Sequence, residues 1–270
     1  MRKIIITVLL LHTIVFSYSQ TISRKLISSA GGYYSGTDFS VSYSVGETMI
    51  NTLSSGNTIL TQGFQQPEDL LLAYTLTLKA FLEGFYRGGE MMEPTLYNLG
   101  MSSDPTATDM IQVDLWSPDH LQNNTPDLST VTLLHTDGTA SVSIPEVPNE
   151  NNYYISLKHR NSLETWSAAP VDMSQTALYD FTNEDTKAFG NGINSPMKNL
   201  ETNLFGIFSG ENTGDGTIDI NDMSVTENDA FNFQYGYNNT DCNGDGASDA
   251  LDMQIIENNA ILQLYMARPL

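Results

Sequence analysis

Apolar and polar residues alternate strictly along several stretches of this chain, and a period of two marks a strand with one buried face. Leu76, Leu78, Ala80 and Leu82 form one such row, and Ile111, Val113 and Leu115 form another. The pattern predicts seven short strands, at 75–82, 110–115, 131–135, 140–144, 153–159, 178–181 and 205–208. Turn-forming clusters such as Thr136-Asp137-Gly138 separate them and signal hairpins. No long amphipathic helix pattern interrupts the series. Short strands with turn-rich joints predict a mainly β domain over residues 74–209, an antiparallel β-sandwich of immunoglobulin-like or carbohydrate-module-like type.

Upstream, Phe39, Val41, Tyr43 and Val45 alternate with Ser40, Ser42 and Ser44. Turns are expected at Gly31-Gly32, Ser54-Ser55-Gly56-Asn57 and Gly63. Residues 20–67 therefore read as a small β module of three or four strands. So small a unit buries little core and needs a neighbour or a partner. Residues 68–73 read as a linker. Towards the C-terminus the period lengthens, and helices are expected over 222–230 and 250–265. The second carries Leu251, Ile255, Ile256, Ala260 and Leu264 on one stripe that should face a core.

The first residues have a different layout. Arg2 and Lys3 precede an apolar run over 4–16, followed by Ser17-Tyr18-Ser19. That is the plan of a secretory signal peptide over residues 1–19, with Gln20 as the mature N-terminus. The run is too short to span a bilayer, and no other stretch is long and apolar enough to do so. The expected location is secreted, either extracellular or on the outer cell surface.

Composition then narrows the partners. Asp and Glu number 32 against 11 Lys and Arg, a net charge of −21 at pH 7. Such a balance argues against nucleic-acid and anionic-membrane partners. Bound divalent cations would relieve the self-repulsion. A single cysteine, Cys242, excludes an internal disulfide framework. His12, His120, His135 and His159 are scattered without zinc spacing. No Gly-x-Ser-x-Gly elbow, phosphate loop or Cys–His arrangement is present. Among so many acids, sequence alone does not single out a glycosidase pair.

The stretch Asp241-Cys242-Asn243-Gly244-Asp245-Gly246-Ala247-Ser248-Asp249-Ala250-Leu251-Asp252 is where the acids become ordered. Oxygen side chains fall at positions 1, 3, 5, 9 and 12, with Gly246 at position 6, which is the ligand spacing of an EF-hand-type calcium loop. A hard cation of this size takes about six to eight oxygens, and short carboxylates on alternate residues of a tight loop supply them. Ala247, at position 7, would contribute its backbone carbonyl. Cys242, at position 2, is expected to point outward and to be no ligand. A second stretch from Glu211 to Asp222 fits the same frame less well. Its expected ligands are Glu211, Thr213, Asp215, Thr217 through its carbonyl, Asp219 and Asp222. Any single Asp-Gly pair is an ordinary surface turn. Two stretches in one register, each followed by a helical run, point to calcium.

Loop plus helix, twice, with Asp at position 12 and no preceding helix, resembles a type I dockerin pair. The residues that carry the resemblance are Asp241, Asn243, Asp245, Gly246, Asp249 and Asp252, then Asp215, Gly216, Asp219 and Asp222, all within residues 210–270. Two departures bear on the cohesin partner of that family more than on the calcium. Glu211 and Thr213 hold positions 1 and 3 of the first loop. The segment Phe231-Asn232-Phe233-Gln234-Tyr235-Gly236-Tyr237 between the loops is also longer and more aromatic than in cellulosomal dockerins. The first module, with Ser29-Ala30-Gly31-Gly32 and Val45-Gly46-Glu47, resembles a segment near the start of many secreted Bacteroidetes proteins. The β domain, with Phe81-Leu82-Glu83-Gly84-Phe85-Tyr86 and Tyr179-Asp180-Phe181-Thr182, resembles an uncharacterised secreted domain of that group. That domain commonly precedes dockerin-like repeats.

Within the β domain, residues 153–167 concentrate Lys158, His159, Arg160, Glu164 and Trp166. One reading is a ligand-facing edge in which Trp166 stacks on a sugar while Arg160 and Glu164 direct hydrogen bonds. The other is packing, with Tyr154, Ile155 and Leu157 in the core, Arg160 paired to Glu164, and Trp166 plugging the end of the sandwich. The functional expectation is a secreted, non-catalytic calcium-binding protein that mediates adhesion or assembly at the cell surface. A carbohydrate-binding component of a polysaccharide-degrading system is the alternative, and a small glycosidase a third. A protein partner or a glycan fits these readings.

Overall fold

The computed structural model describes residues 74–123, 125–144, 152–190, 192 and 195–269, and the backbone of 30–35, 40–45, 52–55 and 58–61. The expected signal peptide and linker lie outside the described residues. Residues 1–70 and 71–270 form two separate units.

In the first unit, strand β1 (Ala30–Ser35) pairs antiparallel with β2 (Ser40–Val45), and β3 (Thr52–Ser55) with β4 (Thr58–Thr61). The alternating row is thus a strand over Ser40–Val45. Gly31 and Gly32 lie inside β1, opposite Ser44 and Tyr43, rather than in the expected turn. Ladder pairing overrides the turn preference of glycine there.

The second unit is a β-sandwich with a helical tail. Its strands are β5 (Tyr74–Lys79), β6 (Tyr86–Gly88), β7 (Met91–Met92), β8 (Ala107–Trp116), β9 (Leu128–His135) and β10 (Thr139–Ile144). They continue with β11 (Asn152–His159), β12 (Ser162–Trp166), β13 (Val171–Asp172), β14 (Ala177–Asp180), β15 (Lys198–Glu201) and β16 (Leu204–Gly206). One sheet runs β10-β5-β14 and the other β12-β11-β8-β9, with β13 added on β11. The inward rows meet between them: Leu76 and Leu78 of β5, Val142 and Ile144 of β10, Val113 and Leu115 of β8, and Ile155 and Leu157 of β11. Burying each such side chain stabilises the fold by about 1.5–3 kcal/mol, which is what fixes the register. All seven expected strand sites are strands, but the sheet is not wholly antiparallel, because β14 pairs with β5 in parallel.

The long chain between β5 and β14 allows that arrangement, since parallel neighbours need a crossover and cannot share a tight turn. On β11, Tyr153 rather than Tyr154 joins the core, because the period of two that buries Ile155 and Leu157 puts Tyr154 on the other face. The strand β12 and the one-turn helix α1 (Thr95–Asn98) were not anticipated.

Helices α2 (Ile220–Phe231) and α3 (Ala250–Ala260) follow the two acidic stretches. Each begins at an aspartate N-cap, Asp219 or Asp249, that forms a capping box with Asp222 or Asp252. Helix α3 stops at Ala260, short of the expected end, so Leu264 lies beyond it. Ile256 and Leu264 are buried in a second core with Leu163, Phe208, Ile218 and Cys242, whereas Leu251 is exposed. That core joins β12 to the tail. No helix among the described residues is long and apolar enough to cross a membrane.

Candidate functional site

The two acidic stretches fold into one repeated loop. In the downstream copy, Asp241 Oδ1 accepts the N–H groups of Gly244 (2.8 Å) and Asp245 (3.1 Å), and Oδ2 that of Gly246 (3.1 Å). Asp245 accepts from Ala247 N (3.0 Å), and Asp249 from Leu251 N (2.7 Å). Asp252 reaches back across the loop. Its Oδ1 accepts from Cys242 N (2.7 Å) and Asn243 N (3.0 Å), and its Oδ2 from Asp249 N (2.8 Å).

The upstream copy repeats this plan at positions thirty residues earlier. Glu211 accepts from Gly214 N (2.6 Å) and Asp215 N (3.0 Å), and Asp215 from Thr217 N (2.9 Å). Asp219 accepts from Asn221 N (2.7 Å). Asp222 accepts from Asn212 N (2.7 Å), Thr213 N (3.0 Å) and Asp219 N (2.9 Å). Glycine at position 4 serves both loops, Gly214 at φ 76° and Gly244 at φ 74°, a left-handed backbone that other residues adopt at a penalty. Sequence reasoning had noted only the glycine at position 6.

The copies also clasp each other through reciprocal backbone contacts. Met266 N donates to Gly216 O (2.7 Å), and Gly236 N to Gly246 O (2.8 Å). Ile218 N donates to Leu264 O (3.1 Å), and Ser248 N to Gln234 O (3.0 Å). Thr217 bridges to Tyr265 and Ala247 to Tyr235. The hydrogen bonds flanking these bridges come from neighbouring residues, so the two position-7 carbonyls are not the acceptors in them. Cys242 departs from expectation. It is fully buried, and its Sγ lies 3.4 Å from Asn212 Oδ1, the side chain at the matching position of the other loop. Position 2 faces inward because it packs into the second core, against Ile218 and Ile256 and beside Met223 and Ile255.

The electrostatics of these loops favour a cation. Asp222, Asp241 and Asp252 have no solvent exposure. Asp241 has Arg160 Nη2 at 3.8 Å, and among the described residues Asp222 and Asp252 join no ion pair. Burial pushes the Asp252 carboxyl up to about 7, outweighing the hydrogen bonds from Asp249, Asn243 and Cys242. Burial likewise raises Asp241 to about 6 against the pull of Arg160, and it raises Glu211. A buried carboxylate without a counter-charge is costly, and a bound cation offsets that cost. No group of three or more His, Cys, Asp or Glu side chains among the described residues gathers closely enough to hold a metal by itself. A calcium ion in the downstream loop would therefore also draw on the Asn243 amide oxygen, the Ala247 carbonyl and water, the mixed oxygen set that this ion accepts. The donor chemistry fits. The upstream loop offers Glu211, Thr213, Asp215, Thr217, Asp219 and Asp222 in the same order.

The other three candidate residues do not converge. Trp166 is 2% exposed and packs against Trp116 with ring centroids 5.3 Å apart, beside Leu121, Tyr154 and Phe189. A ring so covered has no face for a sugar, so the stacking role is corrected. Glu164 lies 3.8 Å from Lys158, not on Arg160, and burial raises its pKa against that lysine's charge. Arg160 turns the other way. Its Nε donates to Asp109 Oδ2 at 3.0 Å, and its guanidinium lies 4.5 Å from the Tyr237 ring centroid and 5.6 Å from that of Phe85.

Asp109 is the residue that sequence reasoning missed. It is fully buried and also accepts from Tyr237 Oη (2.5 Å) and Met110 N (2.7 Å), with His159 Nε2 at 3.2 Å. A signal was present, because Asp109 continues the inward row Ile111-Val113-Leu115 of a strand. An acid in such a row requires a buried partner.

No family model matches this sequence, and no curated protein matches it. The chain is similar to a chain in two crystal structures of a type II cohesin–X-dockerin complex from Acetivibrio cellulolyticus, an N-terminal and a C-terminal interface mutant. In each case the identity is 13%, the match covers 69% of this chain and 94% of that chain, and the TM-score is 0.39. A likeness that shallow assigns neither ligand nor partner, and function has to be argued from the loops themselves.

Proposed function

We propose that this chain is a secreted, non-catalytic assembly protein whose C-terminal loop pair binds calcium, with a protein partner as its target. The observation that carries this reading is the repeated plan of the two loops, in which buried carboxylates at position 12 have no ion-pair partner among the described residues. Asp241, Asn243, Asp245, the Ala247 carbonyl, Asp249 and Asp252 would hold one ion. Glu211, Thr213, Asp215, the Thr217 carbonyl, Asp219 and Asp222 would hold a second, more weakly. The ion's role is structural. It neutralises acids that a chain of net charge −21 otherwise crowds together, and it fixes the starts of α2 and α3.

The assembly role is supported by the tail's surface. Ile220, Phe231, Phe233, Tyr235 and Ile261 are each more than two-thirds exposed, a concentration of apolar side chains unusual on a solvated surface. Calorimetric titration of the purified chain with Ca²⁺ tests the calcium reading. Binding in the range of about 10⁻⁶ to 10⁻³ M is expected, weakened at the stronger site in Asp245→Ala. Identical titrations for the two proteins, or melting that is the same in chelator and in excess calcium, refute it.

A further inference from the structure

The two loops share one hydrogen-bond plan but not one setting. The downstream loop is set into the sandwich. An added Cβ on Gly84 would stand 2.0 Å from the Cys242 carbonyl oxygen, and one on Gly244 would stand 2.4 Å from Thr95 Oγ1. Thr95 Oγ1 donates to Gly244 O at 2.7 Å, and Asn161 Nδ2 to Asp241 O at 2.6 Å. The matching glycine of the upstream loop, Gly214, has nothing within 4 Å of an added Cβ.

At the centre of this seat is Arg160, whose side chain is 9% exposed. Asp109 holds its Nε, Phe85 and Tyr237 lie against its plane, and its Nη1 donates to Asn238 O. Its Nη2 has no hydrogen-bond partner among the described residues and lies 3.8 Å from Asp241 Oδ2, the position-1 oxygen.

We propose that Arg160 couples calcium loading of the downstream loop to the stability of the β-sandwich, while the upstream loop loads without that coupling. The proposal rests on the calcium reading above and adds an asymmetry to it. An ion on Asp241 clamps the loop in the seated arrangement. The seat consists of sandwich residues 84, 85, 95, 160 and 161, so stabilising the seated loop stabilises the sandwich by mass action. Arg160 is the strut that makes the two inseparable, since it is bound to Asp109 on β8 and to Asn238 and Asp241 in the tail. Its role is positioning, because it would not touch the ion.

The two tryptophans of the chain, Trp116 and Trp166, both lie buried in the sandwich, so their fluorescence reports that part alone. Melting is followed by this signal in chelator and in calcium for wild type, Asp215→Ala, Asp245→Ala, Arg160→Met and Arg160→Lys, with calcium stoichiometry measured by calorimetry. At a hundredfold excess over Kd, calcium should raise the midpoint of wild type and of Asp215→Ala by about 5–10 °C. It should raise neither Asp245→Ala nor Arg160→Met. Arg160→Lys, which keeps the charge near Asp241 but loses the fork on Asp109, should recover part of the shift. Equal shifts in Asp215→Ala and Asp245→Ala overturn the coupling, as does a full shift in Arg160→Met, while the calcium reading stands. A wild type that takes up no calcium overturns both. Should Arg160→Met fail to fold, the loop variants and Arg160→Lys decide the matter.

Discussion

Replacing Asp252 by Asn exchanges one oxygen for nitrogen and keeps the side chain's shape. In the structure Oδ1 serves the N–H groups of Cys242 and Asn243, and Oδ2 serves that of Asp249. An amide that keeps its oxygen on the pair presents its NH₂ to Asp249 N, so one buried donor loses its acceptor. That loss is worth about 1–3 kcal/mol. The two remaining bonds become neutral, and charge-assisted bonds are about twice as strong as neutral ones. Against these losses the amide carries no charge to desolvate, and it is that desolvation, outweighing all three bonds, that raises the carboxyl to about 7, so in chelator at pH 8 the variant should be at least as stable as wild type. The experiment belongs at pH 8, because burial raises this carboxyl to about 7 and its protonated form already carries a donor. In calcium at a hundredfold excess over Kd, wild type gains about a further 2.7 kcal/mol that the variant forgoes. Urea unfolding followed by far-ultraviolet circular dichroism measures both quantities. Asp222→Asn is the control, since Asp222 makes the corresponding three bonds at 2.7, 3.0 and 2.9 Å in the other loop and is equally buried. A loss in chelator above about 0.5 kcal/mol, the scatter of ordinary surface changes, would refute the reasoning about the loop. The same stability difference between variant and wild type with and without calcium would refute the metal.

Acid should weaken the seat of the downstream loop in a defined window. Burial by itself would raise Asp109, but His159, Arg160 and Tyr237 outweigh it and hold the carboxyl at about 2, below its ordinary 3.8. A carboxyl depressed in the folded state contributes stability above pH 4 and loses it as pH falls from about 4 to 2, here about 2 kcal/mol. Burial keeps His159 below its ordinary range, with the Arg160 charge acting in the same direction, so it too opposes acid as pH falls below 6.5. Urea midpoints between pH 5 and 2.5 should fall more steeply for wild type than for Asp109→Asn, and parallel curves would contradict the assignment. Gly84→Ala should cost about 1–3 kcal/mol or more by calorimetry, because its new Cβ would meet the Cys242 backbone carbonyl. Retained stability would show that the tail is not seated as described. The Cys242 thiol, buried and raised above its ordinary range by desolvation, should resist thiol reagents in the folded chain and react once urea unfolds it. Immediate labelling of the native chain would place it on the surface.

The sandwich was legible because its strands obey a period of two that few other structures tolerate. Rows such as Leu76-Leu78 and Ile111-Val113-Leu115 name their inner face, whatever they pack against. The parallel pairing of β14 on β5 was not legible, since alternation fixes which face is buried and leaves open which neighbour lies alongside. Likewise, β12 carries Thr165 and Trp166 as consecutive buried residues, so it lacks the two-sided rhythm that marks an edge of the core.

For the loops, the sequence by itself determined the order of the acidic side chains and the glycine at position 6, because a twelve-residue turn is a local matter of backbone geometry. It also placed the start of α3 at Ala250, whereas α2 begins at Ile220, two residues before the expected 222, because its N-cap is Asp219. Only the tertiary structure decided that Cys242 faces inward, that Trp166 is covered and that Arg160 joins Asp109 and Asp241 rather than Glu164. Each of those depends on which segments meet across the fold. A buried charge takes its partner from whatever surface closes over it, and spacing along the chain carries no record of that surface.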